Sequence, residues 1–420
     1  MEGGNIKILH VCYSDAVGGA ARAAFRLHQA QCKKGVDSHM LVVVKHSDDP
    51  RVIAIPLLNR VLTMIASNLA NRLLIKQKTT NPILHSLNFF RCGVGKIINN
   101  FDADIINIHW INGEMLSIGE IAAINKPIVW TLHDMWGFSG AEHYDDLSDP
   151  ERYRQGYARK NRPNKSSGLD LDAWVYRRKL DLWKNKVFNI VTPSNWLGDC
   201  VKHSDLFSKQ PVEVIPNCID QTMYKPLDKK FARNTLNLPE DKQLILFGAL
   251  TSTSDSRKGF HLLRSAIQQM VDKPQWNGGI ELVIFGASDG DNEELLGLPC
   301  HYLGHINDDS SLALIYNAAD VFVAPSMQDN LPNTLVEAVS CETLCVAFGV
   351  GGIPDIIKHK DNGYIADAYN IQDLLQGLEW ALKNNYQLAN VNTEKSKKVK
   401  HCFDIESVVN LYLNLYRQIK

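Results

Sequence analysis

Charge of one sign is missing from this chain. Its 45 Lys and Arg stand against 46 Asp and Glu, a formal net charge of −1, so no global field draws it to nucleic acid, although a local basic face stays open. Paired cysteine spacings are missing too. The nine cysteines are scattered and odd in number, and the closest two, Cys341 and Cys345, lie in an apolar helix-to-strand passage. That pattern suits buried thiols in a reducing compartment better than a disulfide or thiolate-metal framework. No apolar run is long enough to span a bilayer. Met1-Glu2-Gly3-Gly4 leads straight into a strand with nothing like a signal peptide. The expectation is a cytoplasmic protein. At 420 residues and 45% apolar, the chain has ordinary globular composition, is long for one core and suits two domains.

Ile6–Tyr13, apolar but for Lys7 and His10, reads as a central strand in a parallel sheet. Gly18-Gly19-Ala20-Ala21-Arg22 follows and opens a helix carrying Ala24, Leu27 and His28. The glycines let the backbone turn and approach a ligand near a helix start. The three-glycine dinucleotide pattern is absent, so a plain turn remains the alternative. After a strand at 38–44 comes a stretch with no acid between Arg51 and Asp102. Within it, Leu57, Leu58, Val61, Leu62, Ile65, Leu69, Leu73 and Leu74 recur at helical spacing, beside Arg60, Arg72, Lys76 and Lys78. Either this helix packs its apolar face on its own sheet, or it lies on an anionic membrane where a lipid-linked acceptor would be met. Asp102-Ala103-Asp104 formally matches a metal-binding acidic pair, but it opens the strand 104–110.

The strand 127–134 ends in His133-Asp134, at the carboxyl edge where open α/β sheets place ligands. A histidine there can bond a sugar hydroxyl or exchange a proton, or it can be a satisfied structural group. Residues 141–185 are polar, with Trp174, Tyr176 and Trp183 at helix-like spacing, and suit either an acceptor-side lid or a decorated surface helix. Ser194 ends the strand 187–194 and is placed to cap the next helix. A fresh strand and helix series begins after Val212–Asp220, which sets the domain boundary there.

In the second half, the strand 244–249 ends at Gly248 and is followed by the loop 250–256 and by Arg257-Lys258-Gly259-Phe260. Two cations at a helix start make a diphosphate clamp, or else a solvated basic turn. The strand 282–287 brings Gly286 to a matching end. After the strand 319–326, closed by Pro325, Asp329-Asn330-Leu331-Pro332-Asn333-Thr334 leads into a helix bearing Glu337. Strand, acidic loop and helix present carboxylates and backbone N–H groups to one hydroxyl-rich ligand, unless the loop is merely solvated and Glu337 a surface acid.

The run Asp329–Thr334 with Glu337-Ala338, then Val346-Ala347-Phe348 and Gly351-Gly352-Ile353-Pro354-Asp355, resembles the nucleotide-sugar signature of the family-4 retaining glycosyltransferases. Trp130–Trp136 is similar to the bacterial exopolysaccharide, colanic-acid-type subgroup. Departures exist. The first acid is Asp where the family usually has Glu, Ala249 stands where its Arg commonly falls, and Cys218 stands where it has Gly. Relatives often carry cysteines within 141–185, whereas this chain has none, which argues against a metal-stapled loop.

The alternation of strands and helices, twice over, argues for two doubly wound domains. The resemblance implies an α/β GT-B fold of two Rossmann-like domains facing across a cleft. Residues 1–215 would form the acceptor side, 216–400 the nucleotide-sugar domain, and 401–420 a helix crossing back to the first domain. It implies a catalytic set of His133, Lys258, Arg257 and Asp329. The donor-binding set would be Gly18, Gly19, Gly248, Gly286, Asn330, Leu331, Asn333, Thr334 and Glu337. The substrate would be a UDP-sugar or GDP-sugar, with no metal or other cofactor. The partners would be a glycan or lipid-linked saccharide acceptor and a peripheral membrane contact at the inner face of the plasma membrane, with no nucleic acid. The implied reaction is retaining transfer in surface polysaccharide synthesis. A sugar-nucleotide epimerase or hydrolase, and a binding protein derived from a transferase, remain the alternatives.

Overall fold

A computed structural model of the chain describes residues 6–146, 151–248, 255–276, 278–286, 297–306, 308–388 and 399–420. Met1–Gly4, Ala249, most of the loop that follows it, and Ala287 lie outside the described residues. The chain divides into two compact units, Met1–Pro216 with Val409–Lys420, and Asn217–Val408. The sequence had suggested divisions at 215/216 and 400/401; the units divide at 216/217 and 408/409.

The strands in chain order are β1 (Lys7–Ser14), β2 (Asp37–Val44), β3 (Val52–Ala54), β4 (Gln77–Lys78), β5 (Ile105–Ile108), β6 (Ile128–Thr131), β7 (Ser167–Gly168) and β8 (Asn189–Thr192). They continue with β9 (Val212–Val214), β10 (Gln243–Gly248), β11 (Ile280–Phe285), β12 (Cys300–Tyr302), β13 (Val321–Ala324), β14 (Leu344–Phe348) and β15 (Gly363–Ala366). The first unit holds a seven-stranded sheet in the order β3-β2-β1-β5-β6-β8-β9. The second holds a six-stranded sheet in the order β12-β11-β10-β13-β14-β15. Every pairing within these two sheets is parallel. In each, the first strand lies inside the sheet and the order reverses beside it, the doubly wound pattern.

Both faces of the second sheet are buried, which is why its strands read as unbroken apolar runs. Leu244, Leu246, Phe322 and Ala324 face one core with the helices Asp309–Ala318 and Asn333–Ser340. Ile245, Phe247, Val321 and Val323 face the other, with the helix Phe260–Val271. In the first unit, Leu9, Ile106, Trp130 and Ile190 build one large core in which Trp130, Trp183, Phe188 and Phe207 meet edge to face or tilted.

Several expectations need correction. The helix Leu57–Leu74 packs through Thr63, Ala66 and Ala70. Its larger stripe points outward instead, Leu57 being 73% and Leu58 70% exposed, with Val61, Leu62, Met64, Ile65 and Leu69 also exposed. Small residues form the packed face because they let the backbone approach the core closely. Within residues 141–185, several of the large polar and aromatic side chains are packed inward rather than decorating the surface. Arg152, Tyr153, Tyr157, Tyr176, Lys179 and Trp183 are buried, and the Lys179 ammonium donates to the carbonyls of Trp136, Ser139 and Gly140. The pair flanking Ala103 is engaged with lysines: Asp102 with Lys7, and Asp104 with the Lys7 backbone N–H and Lys420, each at 2.9 Å. Ser194 caps as expected, its Oγ accepting from Leu197 N at 3.1 Å. Cys218 is buried with its backbone outside the left-handed region, so a side chain fits where the family has Gly.

Candidate active site

In the second unit, Arg257 and Lys258 sit on a short 3-10 turn, Ser256–Lys258, whose start is capped by Asp255. The turn is pressed onto the carboxyl end of β13. Gly259 has φ +70°, and a Cβ there would lie 1.9 Å from the Pro325 carbonyl oxygen, so no other residue fits without moving backbone. Met327 N donates to the Arg257 carbonyl at 2.8 Å, tying the basic turn to the acidic loop.

That tie brings Lys258, Arg257 and Asp329 together. Lys258 Nζ lies 2.7 Å from Asp329 Oδ2, and Arg257 Nη1 lies 3.5 Å from the same oxygen while donating to the Gln328 carbonyl at 2.9 Å. Burial pushes the Asp329 carboxyl up, but the charges of Lys258 and Arg257 outweigh it and hold the group below the usual carboxylate range. Gly351-Gly352 brace the loop from behind: Gly352 N donates to the Asp329 carbonyl at 3.2 Å, and a Cβ on Gly351 would fall 1.8 Å from that oxygen. The basic residues are therefore ion-paired rather than a solvated turn, and the loop is packed rather than solvated.

Glu337 lies on the helix Asn333–Ser340, only 2% exposed, and its Oε2 accepts from the Tyr316 hydroxyl at 2.9 Å. The surface-acid alternative is thereby excluded. Asn330 and Leu331 are buried in the loop, Thr334 is half-buried, and Asn333 Oδ1 accepts from Asn217 Nδ2 at 2.9 Å. Gly248 and Gly286 stand at the carboxyl ends of neighbouring strands of the same sheet. A Cβ on Gly248 would strike the Phe285 ring at 2.3 Å, and Gly286 has φ +81°.

In the first unit, Gly18 takes φ +93° immediately before the helix Gly19–Lys33. His133 follows β6 and ends a buried file of imidazoles that the sequence reading missed. His133 Nε2 meets His109 Nδ1 at 3.1 Å, His109 Nε2 meets His10 Nδ1 at 3.0 Å, and His10 Nε2 meets Gln31 Oε1 at 2.9 Å. Gln31 turns its amide N–H toward the Tyr416 hydroxyl, 3.4 Å away. Its oxygen therefore faces His10, which fixes Nε2–H on each ring in turn and leaves His133 Nδ1 an acceptor. Burial lowers His133 to about 4 and His10 to about 3, so the file is neutral near pH 7. The next residue, Asp134, accepts from Trp110 Nε1, Trp136 N and His143 Nδ1 at 3.1, 3.0 and 2.6 Å, which anchors the loop carrying His133. One signal was present in the sequence: adjacent strands end in His109-Trp110 and His133-Asp134.

Two doubly wound units, one with paired cations and a buried carboxylate at its sheet's carboxyl edge, define a nucleotide-binding α/β class. Residues 17–222 match the family model of Glycosyltransferase Family 4 and residues 228–399 that of Glycosyl transferases group 1. With the fold, these matches place the chain among the GT-B glycosyltransferases. An uncharacterised glycosyltransferase of Haemophilus influenzae is 27% identical over 187 residues, 42% of this chain and 49% of that one. A D-inositol 3-phosphate glycosyltransferase of Segniliparus rotundus is 28% identical over 171 residues, 38% of this chain and 36% of that one. The chain thus spans half or less of the length of these two relatives. Among solved structures, HepE of Anabaena in complex with UDP-glucose superposes with a TM-score of 0.64 at 15% identity, covering 98% of this chain and 100% of that one. No helix among the described residues is long and apolar enough to cross a membrane.

Proposed function

We propose that this protein is a retaining glycosyltransferase. It moves a sugar from a nucleotide-diphosphate sugar to a glycan or lipid-linked saccharide in bacterial surface polysaccharide synthesis, without a catalytic metal. The observation that carries the proposal is the Lys258–Asp329–Arg257 group at the carboxyl edge of the second sheet. As the glycosidic C–O bond loosens, negative charge grows on the departing diphosphate. Lys258 and Arg257 stabilise it, with N–H groups from the first turn of the helix Asn333–Ser340. Asp329 orders Lys258 through its Oδ2 and offers its remaining lone pairs to sugar hydroxyls. Glu337, steadied by Tyr316, takes the ribose. His133 presents Nδ1 as an acceptor to a sugar hydroxyl. The acceptor hydroxyl attacks from the side the phosphate leaves, and the phosphate takes its proton. HepE's complex with UDP-glucose supports a UDP-sugar as the first donor to try.

The test is incubation with a panel of UDP- and GDP-sugars, with and without candidate acceptors. Nucleotide release that rises with acceptor supports transfer. Release or isomerisation without acceptor supports an epimerase or hydrolase, and tight binding without turnover supports a binding protein.

The outward stripe of the helix Leu57–Leu74 favours a lipid-linked acceptor. Arg60, Arg72, Lys76 and Lys78 border it, and no acid lies nearby in the chain. Such a face binds anionic bilayers through apolar insertion and charge together. The full chain is expected to sediment with phosphatidylglycerol vesicles. Leu58→Glu with Ile65→Glu should lower that partition by more than about tenfold, since burying each such side chain is worth roughly 1.5–3 kcal/mol. Equal sedimentation of the variant and the wild type would remove the membrane from the proposal.

A further inference from the structure

We propose that the first unit holds a divalent transition-metal ion of the Zn2+ class, bound by His85 Nε2, Glu142 Oε2 and Asp172 Oδ1. The three residues come from separate segments. His85 and Glu142 face each other across an isolated antiparallel bridge, flanked by Ser86 N to the Ala141 carbonyl at 2.7 Å and His143 N to the Leu84 carbonyl at 3.0 Å. Asp172 lies in the first turn of the helix Leu171–Trp183, behind its cap Asp170. One ligand atom from each residue lies within 4.8 Å of the other two. His85 Nε2 and Asp172 Oδ1 are 3.5 Å apart, close to the separation of about 3.4 Å between two ligands held at about 2.0–2.1 Å around a tetrahedral ion.

What distinguishes this cluster from a chance grouping is how each residue is held. His85 Nδ1 is 2.6 Å from the Ile83 carbonyl, which fixes the proton on Nδ1 and the lone pair on Nε2. Glu142 Oε1 accepts from the Tyr157 hydroxyl. Asp172 Oδ2 accepts from Gln77 Nε2 at 2.6 Å. In every case the second polar atom, Nε2, Oε2 or Oδ1, is buried and has no hydrogen-bond partner among the described residues. Two of these atoms, His85 Nε2 and Asp172 Oδ1, are the pair 3.5 Å apart. Glu142 is 5% exposed, Asp172 8%, and the His85 side chain 8%, so water has little access to them.

The local charge also calls for a cation. Arg152 pairs with Asp170 at 2.9 Å and reaches Asp172 at 3.9 Å through Oδ2 rather than Oδ1, so its one charge is shared among Asp170, Asp172 and Glu142. Lys179 is spent on three backbone carbonyls. Two buried carboxylates cannot both stay ionised so close together without a counter-charge. Burial keeps His85 toward its neutral, ligating form. It also pushes Asp172 up, with Glu142 adding to the effect, so the competing occupant is a shared proton. One imidazole with two carboxylates suits Zn2+ and its neighbours in the first transition row better than Mg2+ or Ca2+. The absence of cysteine from 141–185 speaks only against a thiolate site. Bound there, the ion would fasten the segment after His133 to the start of the helix Leu171–Trp183, and no step of glycosyl transfer runs through it.

The test uses the full chain, stripped with a chelator, re-equilibrated with ZnCl2 and desalted. The expected result is one Zn2+ retained per chain by plasma mass spectrometry, a higher Tm than the stripped protein, and visible d–d absorption when Co2+ replaces Zn2+. Glu142→Gln and His85→Gln should lose the retained ion. Gln77→Leu should keep the fold and bind about 10–100-fold more weakly, and it carries the test if the ligand variants do not fold. Stripped wild type that takes up no Zn2+, or Zn2+ binding by Glu142→Gln or Gln77→Leu at wild-type strength, overturns the proposal. Stripped wild type whose Tm does not rise with Zn2+ does so as well, and assigns the pair to a shared proton.

Discussion

Lys258→Ala should lower kcat about 10²–10³-fold, the loss found when one preorganised group facing a developing anion is removed. The Nζ is held 2.7 Å from Asp329 Oδ2 on a turn whose backbone is pinned by Gly259 against Pro325, so its charge is in place before any diphosphate arrives. Removing it has a second effect: the buried Asp329 keeps Arg257, 3.5 Å away, as its cationic partner. Leaving a buried carboxylate short of its partner destabilises the fold by itself. The two effects separate in the double variant Lys258→Ala with Asp329→Asn, which removes the orphaned charge. Its Tm should recover toward wild type while turnover stays low. Recovery of turnover along with Tm would mean that Lys258 serves stability alone and would remove it from the chemistry.

The second large effect is on stability. Burial lowers His10 to about 3, His28 and His133 to about 4, and His109 well below its ordinary value. A histidine whose value is depressed in the folded chain is neutral there, while the unfolded chain takes up a proton near its ordinary value of about 6.5. The unfolded state therefore binds more protons as pH falls below that value. The associated stability is fully present above it and is lost progressively down to the folded value. At about 1.4 kcal/mol per pH unit, His133 alone accounts for roughly 3 kcal/mol between pH 6.5 and 4. Three such rings in one file rival the whole stability of an ordinary domain. Cooperative acid unfolding is expected within that window, above the pH at which Asp329 and Asp134, both held low, begin to protonate. Tm measured from pH 7.5 to 4.5 should fall steeply, and His133→Gln should flatten the slope. A Tm unchanged down to pH 5 would contradict the neutral file.

Much of the fold was legible because a strand buried on both faces advertises itself as a local run, as at Leu244–Phe247 and Val321–Ala324. Gly259 and Gly351 were visible as residues but not as necessities, since the carbonyl each one admits belongs to a distant part of the chain. The pairing of Lys258 with Asp329 spans 71 residues; the resemblance put both in one site, and no spacing could have shown the ion pair. The helix Leu57–Leu74 was recognised but its inner face was not. Periodicity reports an apolar stripe, and only packing decides whether that stripe or the small residues Thr63, Ala66 and Ala70 turn inward. Residues 141–185 read as a lid or a decorated surface helix because their composition is polar. A buried Lys179 satisfied by three carbonyls leaves no trace in hydropathy, nor do the hydroxyl and the amide that bond carboxylates 15 and 95 positions away.

The tail of the chain carries a consequence for biosynthesis. Tyr416 and Tyr412 are buried in the first unit, where their hydroxyls meet Asn107 at 2.8 Å and Thr131 at 3.1 Å. Asn107 Nδ2 and Gln31 Nε2 therefore lack their tyrosine partner while a ribosome is still translating the second unit. Domains made early usually mature early. This one must wait, half-finished, for residues 409–420 to emerge, and a chain stalled or clipped before them would leave polar sockets open in what should be dry interior.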